Sequence, residues 1–171
     1  MTDTAAAAQR TRTIAWDDPM EGARRGMEMS GIEYMRAILA GEIPRPPIAW
    51  SLDFTLAEVE EGRAVFTLTP QEFHYNPIGV VHGGVAATLL DSAMGCAVHS
   101  LLPAGAGYTT LELKVNLLRA LTRDTGPVRA EASVLHAGSR TALAEARLVD
   151  ARGKLFAHAT STCLILRHEP R

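Results

Sequence analysis

Excess charge, cysteine and long apolar runs are all scarce in this 171-residue chain, and each scarcity excludes something. Seventeen basic residues stand against nineteen acidic ones, a net charge of −2, so the basic balance or basic stripe that nucleic acid demands is missing. No stretch approaches the ~20 consecutive apolar residues of a membrane span, because His82, Asp91 and His99 interrupt the most apolar region. Only Cys96 and Cys163 are present. Each sits in an apolar run, where a free thiol packs as a small hydrophobe. No Cys-x-x-Cys or His/Cys cluster offers a zinc site, so no metal is expected. The first ten residues hold an acidic side chain and only four alanines as an apolar core, which predicts no secretory signal and a reducing, cytoplasmic home.

What is present is a globular composition, 47% hydrophobic and 21% charged. At this length one domain buries roughly 70% of its unfolded surface. Residues 1 to about 18 are aperiodic and read as a mobile tail. A helical period follows in Met20, Ala23 and Met27, then in Ile32, Met35, Ile38 and Leu39. Ser30 with Glu33 forms a candidate capping box, and Gly41 a stop. Ile43 to Pro47, with three prolines, is expected to be a non-helical linker. From Ile48 the pattern turns to strand. Trp50, Leu52, Phe54 and Leu56 alternate with Ser51, Asp53 and Thr55, a period of two. A hairpin through Glu61-Gly62 is predicted, then irregular chain from Pro70 to Val81 with an Asn76-Pro77 turn. One apolar helix over about 82–102 and four strands near 107–118, 127–137, 140–150 and 154–166 complete the chain. The turns are too short for parallel crossovers, so the fold class is α+β with an antiparallel sheet.

The central helix carries the chemistry. Nearly every residue from Val85 to Val98 is apolar or small, so the helix must be buried on most faces. Asp91 is the ionisable group within it. A carboxylate there costs several kcal/mol unless it is hydrogen-bonded or faces a cleft. Either a neighbouring backbone or arginine satisfies it, or it is a catalytic carboxylate lining a pocket. Gly83 and Gly84 open the helix, whose first N–H groups lack intrahelical acceptors and carry the positive end of the dipole. Such an end suits a developing oxyanion. Asp91 lies eight residues beyond Gly83, about 12 Å along the axis. One carbonyl cannot reach both. If both act on one bond, Gly83 of one subunit pairs with Asp91 of another, and a two-fold dimer with two shared sites follows.

The segments Asn76-Pro77-Ile78-Gly79-Val80-Val81-His82-Gly83-Gly84 and Ala87-Thr88-Leu89-Leu90-Asp91-Ser92-Ala93-Met94-Gly95 resemble the hotdog-fold acyl-CoA thioesterases of the phenylacetate-pathway (PaaI-like) type. The strand Leu111–Arg119 and the turn Asp150–Lys154 add to the likeness, which covers roughly residues 48–166. It implies a hotdog fold, an antiparallel sheet wrapped around one long helix. The domain would span 46–168, with residues 1–45 as an N-terminal tail and helical extension. It also implies acyl-CoA hydrolysis without a cofactor, in a homodimer with shared sites and a tetramer of two dimers. Carried over residue by residue, Asp91 is the nucleophile or general base and the Gly83 N–H the oxyanion donor. His82 and Asn76 line the site, and Thr110 holds the attacking water. Gly84 and Arg140 are the expected substrate contacts, the arginine for CoA phosphate. Some relatives carry a hydroxyl one turn after the acid, where this chain has Gly95. His74 lies close enough in sequence to reach the site. His99, His136 and His158 are expected to be packed or at the surface. Two other readings stand beside hydrolysis. One is a hydratase or dehydratase, disfavoured because the loop supplies Asn76 and His82 rather than an Asp/His pair. The other is a non-catalytic acyl-CoA-binding protein.

Overall fold

Three helices precede the sheet in the computed structural model, which describes residues 9–167. They are α1 (Pro19–Glu28), α2 (Gly31–Leu39) and α3 (Pro47–Leu52). Then come β1 (Phe54–Glu60), β2 (Arg63–Leu68), α4 (Gly83–His99), β3 (Ala106–Leu117), β4 (Val128–Ala137), β5 (Thr141–Asp150) and β6 (Leu155–Arg167). The six strands form one sheet in the order β1-β2-β4-β5-β6-β3, antiparallel throughout. This is the hotdog fold, with α4 packed into the concave face.

Sequence explains how closely sheet and helix approach. Ala130, Ala132, Ala142, Ala144, Ala146, Ala157 and Ala159 are buried on that face. With only a methyl group at each, the strands come near a helix that is itself rich in Gly and Ala. Larger side chains fill what remains: Leu89, Leu90 and Met94 of α4 are buried against Phe54, Phe66 and Leu148. Each such burial is worth about 1.5–3 kcal/mol.

The capping box forms as the sequence predicts, with Glu33 accepting from the backbone N–H and hydroxyl of Ser30. Two expectations are corrected. The alternation starting at Ile48 is not strand, because Pro47–Leu52 is helix α3. Pro47 supplies a preset φ at the first helical position, where its missing N–H costs nothing. Asp53 then ends the turn in the left-handed region (φ 55°, ψ 49°), and β1 begins only at Phe54. Helix α4 also stops at His99, short of 102. There the Ser100 hydroxyl donates to the Ala97 carbonyl and accepts from the Gly62 N–H.

Residues 1–8 of the expected tail, and residue 168 of the expected domain, lie outside the described residues. Residues 9–18 are tethered rather than loose. The Arg12 guanidinium donates to the carbonyls of Trp50 and Ser51 and stacks 3.9 Å over the Phe73 ring, while Arg10 pairs with Glu72.

Candidate active site

The start of α4 is organised by the loop before it. Asn76 Oδ1 accepts from the N–H groups of Ile78 (3.1 Å) and Val80 (3.2 Å), closing the tight Pro77-Ile78-Gly79 turn. His82 caps the helix, its Nδ1 accepting from the Gly84 N–H at 2.9 Å. That bond requires a lone pair on Nδ1, which puts the remaining proton of a neutral ring on Nε2. It also engages Gly84, and the Val85 N–H turns back to the His82 carbonyl. Among the described residues, the Gly83 N–H is left as the free donor of this end. A Cβ on Gly83 would stand 2.6 Å from Leu117 Cδ1, so the exposed leucine side chain of β3 packs directly on the glycine and would have to turn aside for any larger residue. Asn76 and Gly83 line one cavity of about 280 Å³, walled by Leu117 and Leu121.

Asp91 stands elsewhere. It is half-buried and accepts a hydrogen bond on Oδ1 from the Thr110 hydroxyl at 3.0 Å. A bulge in the β3–β6 pairing between Thr110 and Glu112 breaks the register at this point. The carboxylate lines a second cavity of about 330 Å³, whose other walls include Ser92, Cys96, His99 and Tyr108. Cys96 is not a nucleophile in waiting. Burial pushes its thiol up to about 12, so it stays protonated and unreactive. Gly95 also has a reason. A Cβ there would collide with the Tyr108 hydroxyl. The tyrosine occupies the space that a hydroxyl residue one turn after the acid would fill.

The structure therefore brings Asn76, His82 and Gly83 together at one end of α4, and Asp91 with Thr110 at another place. Within one chain the two groups do not share a cavity. Arg140 lies exposed in the β4–β5 turn and lines neither cavity. His74 does not reach the site. It is buried, accepts from the Gln71 N–H on Nδ1 (3.0 Å), and reaches the Leu52 carbonyl through Nε2 (2.9 Å). Its own carbonyl accepts from the His82 N–H at 2.8 Å, so it braces the helix cap from behind. His158 lies 3.6 Å from Glu145, and His136 is exposed. Sequence reasoning missed the roles of Tyr34, His99 and Tyr108 on the Asp91 cavity. The available signal was the spacing Ser92, Cys96, His99, which is one helical face. No three His, Cys, Asp or Glu side chains cluster at metal-binding distance among the described residues, and no helix there is long and apolar enough to cross a membrane.

The antiparallel sheet packed on α4, with a half-buried carboxylate midway along that helix and a glycine pair at its start, is a hotdog arrangement. Residues 78–157 match the thioesterase superfamily. A Saccharolobus solfataricus protein named "Putative esterase" is 35% identical over 116 residues, 68% of this chain and 81% of that one. A solved phenylacetic acid degradation-related protein of Ralstonia eutropha is 30% identical, with a TM-score of 0.70 over 77% of this chain and 98% of that chain. The 1,4-dihydroxy-2-naphthoyl-CoA hydrolase of Listeria monocytogenes is 29% identical over 67% of this chain and 90% of its own length. The chain belongs to the thioesterase superfamily.

Proposed function

We propose that the protein is an acyl-CoA thioesterase acting as a dimer with two shared sites, in the cytoplasm and without a cofactor. The observation that carries this reading is the placement of a half-buried, Thr110-bound carboxylate on the same helix as a free Gly83 N–H, in separate cavities. Across a two-fold axis, Asp91 of one subunit meets the Gly83 end of the other. The thioester carbonyl accepts from the Gly83 N–H and from His82 Nε2–H. Asp91 takes a proton from water as the oxygen attacks the carbonyl carbon, and the C–S bond then breaks; or Asp91 attacks that carbon itself, the C–S bond breaks to leave an acyl-aspartyl anhydride, and water hydrolyses the anhydride to free the carboxylate. In either route CoA leaves as a thiolate, which needs no strong general acid. Asn76 builds the turn that presents the helix start, and Thr110 orients the carboxylate. Arg140 is the proposed contact for the CoA phosphates.

The edge of the sheet supports the dimer. β3 is one of the two edge strands, and Leu111 (57%), Leu113 (37%) and Leu117 (56%) remain exposed along it. An uncovered apolar edge strand is a pairing surface. Residues 46–168 would form the hotdog domain and 1–45 its extension, with two dimers joining as a tetramer.

Free-thiol release from short, medium, long and aromatic acyl-CoAs tests the chemistry. Asp91→Asn is expected to lower turnover by about two or more orders of magnitude, as loss of a general base does. Unchanged turnover would remove Asp91 from the mechanism. Mixing Asp91→Asn subunits with subunits blocked at the Gly83 end should restore part of the activity, because one site per heterodimer is then intact. No rescue despite demonstrated mixing would refute the shared site.

A further inference from the structure

Helix α3 ends on the carbonyls of Trp50, Ser51 and Leu52, which have no acceptor role left inside the helix. All are taken by side chains from elsewhere in the chain. Arg12 donates to the Trp50 and Ser51 carbonyls, each at 2.8 Å, and His74 reaches the Leu52 carbonyl through Nε2 at 2.9 Å. Phe73 joins the two capping groups. The Arg12 guanidinium lies 3.9 Å over its ring, and the His74 ring stands 4.1 Å from it. Arginine suits this place because one planar group forks to two acceptors while its face covers an aromatic ring.

Arg12, Phe73 and His74 thus form one stack across three segments: residues 9–18, the single 3-10 turn Glu72–His74 and the end of α3. The stack leads to the start of α4. The His74 carbonyl accepts from the His82 N–H at 2.8 Å, and His82 Nδ1 accepts from the Gly84 N–H at 2.9 Å. Charge acts in the same direction as packing. Burial, with the Arg12 cation adding to it, holds His74 below its ordinary range against the opposing Leu52 carbonyl and Asp53. A neutral ring keeps the Nδ1 lone pair that accepts from the Gln71 N–H at 3.0 Å. Arg12 itself lines neither cavity beside α4, and it precedes the segment that matches the superfamily, residues 78–157.

We propose that Arg12 is a positioning residue for the Gly83 end: residues 9–18, latched by Arg12 through Phe73 and His74, fix the His82 cap and with it the donors that meet the thioester carbonyl. The proposal rests on the thioesterase reading above. A donor aimed at a developing oxyanion must be held still, since a misplacement of about 1 Å can cost ~100-fold in rate. Loosening the latch leaves each donor present but less well aimed, so the loss is a fraction of that. Contacts in series carry such an effect only if freeing one end loosens the other, and that is measurable.

The test compares wild type with Arg12→Ala, in the full chain, by amide hydrogen exchange and by thiol-release kinetics. The His82 and Gly84 amides should exchange about tenfold faster in the variant, as when one charge-assisted contact of a local unit is lost. Protection along Leu89–Val98 and in β4, β5 and β6 should stay at the wild-type level. An arginine that merely steadied the fold would lower protection throughout. On the acyl-CoA that wild type turns over best, kcat should fall about three- to tenfold with KM moved less than about twofold, because the loss falls on donors that act in the transition state. Phe73→Leu keeps an apolar side chain but removes the ring face, and should reproduce both effects; it decides the matter if Arg12→Ala does not fold. Unchanged exchange at His82 and Gly84, or a loss of protection spread evenly over the chain, overturns the latch. Loosened amides with an unchanged kcat overturn the positioning role. In each of these cases wild-type thiol release leaves the thioesterase reading intact. Absence of thiol release from every acyl-CoA overturns that reading instead, and exchange at the two amides then decides the latch by itself.

Discussion

His74 offers a direct test of how the helix cap is held. Its ring accepts from Gln71 N–H on Nδ1 and meets the Leu52 carbonyl through Nε2, so the neutral Nε2–H form satisfies both neighbours. Protonation would set two hydrogens against each other at Gln71 and place a cation in a buried site. Burial accordingly lowers the His74 pKa, with Arg12 adding to the effect. The sign follows from linkage. Below about pH 6.5 the unfolded chain takes up a proton that the folded chain refuses, so stability falls as pH drops, until the folded pKa is reached. Each unit of depression amounts to about 1.4 kcal/mol. His74→Phe keeps the ring's bulk but strands an N–H and a carbonyl, costing about 2–4 kcal/mol at pH 8. For a chain of this size that is a Tm decrease of roughly 5–15 °C at fixed protein concentration. The variant should also lose part of the acid-induced fall in Tm between pH 8 and pH 5. His99, which burial likewise holds low, contributes a second part of that fall. A variant with the wild-type acid slope would refute the neutral brace.

Two further substitutions probe the Asp91 side. Gly95→Ser supplies the hydroxyl found one turn after the acid in some relatives, yet its Cβ meets the Tyr108 hydroxyl; overpacking of this kind costs about 1–3 kcal/mol. Thermal melts should show that loss, relieved in part by adding Tyr108→Phe; a neutral Gly95→Ser would refute the close contact. Thr110→Val removes a hydrogen bond to a charged group, worth about 1.5–3 kcal/mol. If that bond orients the carboxylate for the transition state, kcat for thiol release should fall roughly 10- to 100-fold, with Thr110→Ser recovering most of it.

The parts legible in the sequence are those set by local chemistry. Period-two runs and Gly turns mark β4, β5 and β6 because each of these strands buries one face rich in alanine. Ser30 and Glu33 show the start of α2 because both partners lie within one turn. Asp91 stands out because a carboxylate in an apolar helix needs a reason. The misreading at residues 48–52 has an equally local cause. Trp50, Leu52, Phe54 and Leu56 alternate, but the run crosses a helix–strand junction at Asp53, where the left-handed conformation resets the direction of the chain. Of the 330 Å³ cavity the sequence shows the wall formed by Ser92, Cys96 and His99 but not the rest, for the opposite reason. Tyr34, His99 and Tyr108 come from three elements, and nothing in any one segment announces that their rings meet.

The two ends of α4 are finished differently, and this bears on how the proposed reaction is divided. Toward His99 the chain closes itself, since α2 docks on the helix end through Gly31 and α1 backs Tyr34. Toward Gly83 it stays open, with Leu117 packed on the glycine yet 56% exposed and Leu118 beside it 52% exposed. One end therefore holds its shape within a single chain, while the other presents apolar surface that a second copy would cover. On the proposed mechanism, carbonyl activation falls to the end completed by the partner. Asp91 stands between them and belongs to both. Substitutions along β3, by loosening the dimer, should lower turnover of all acyl groups alike.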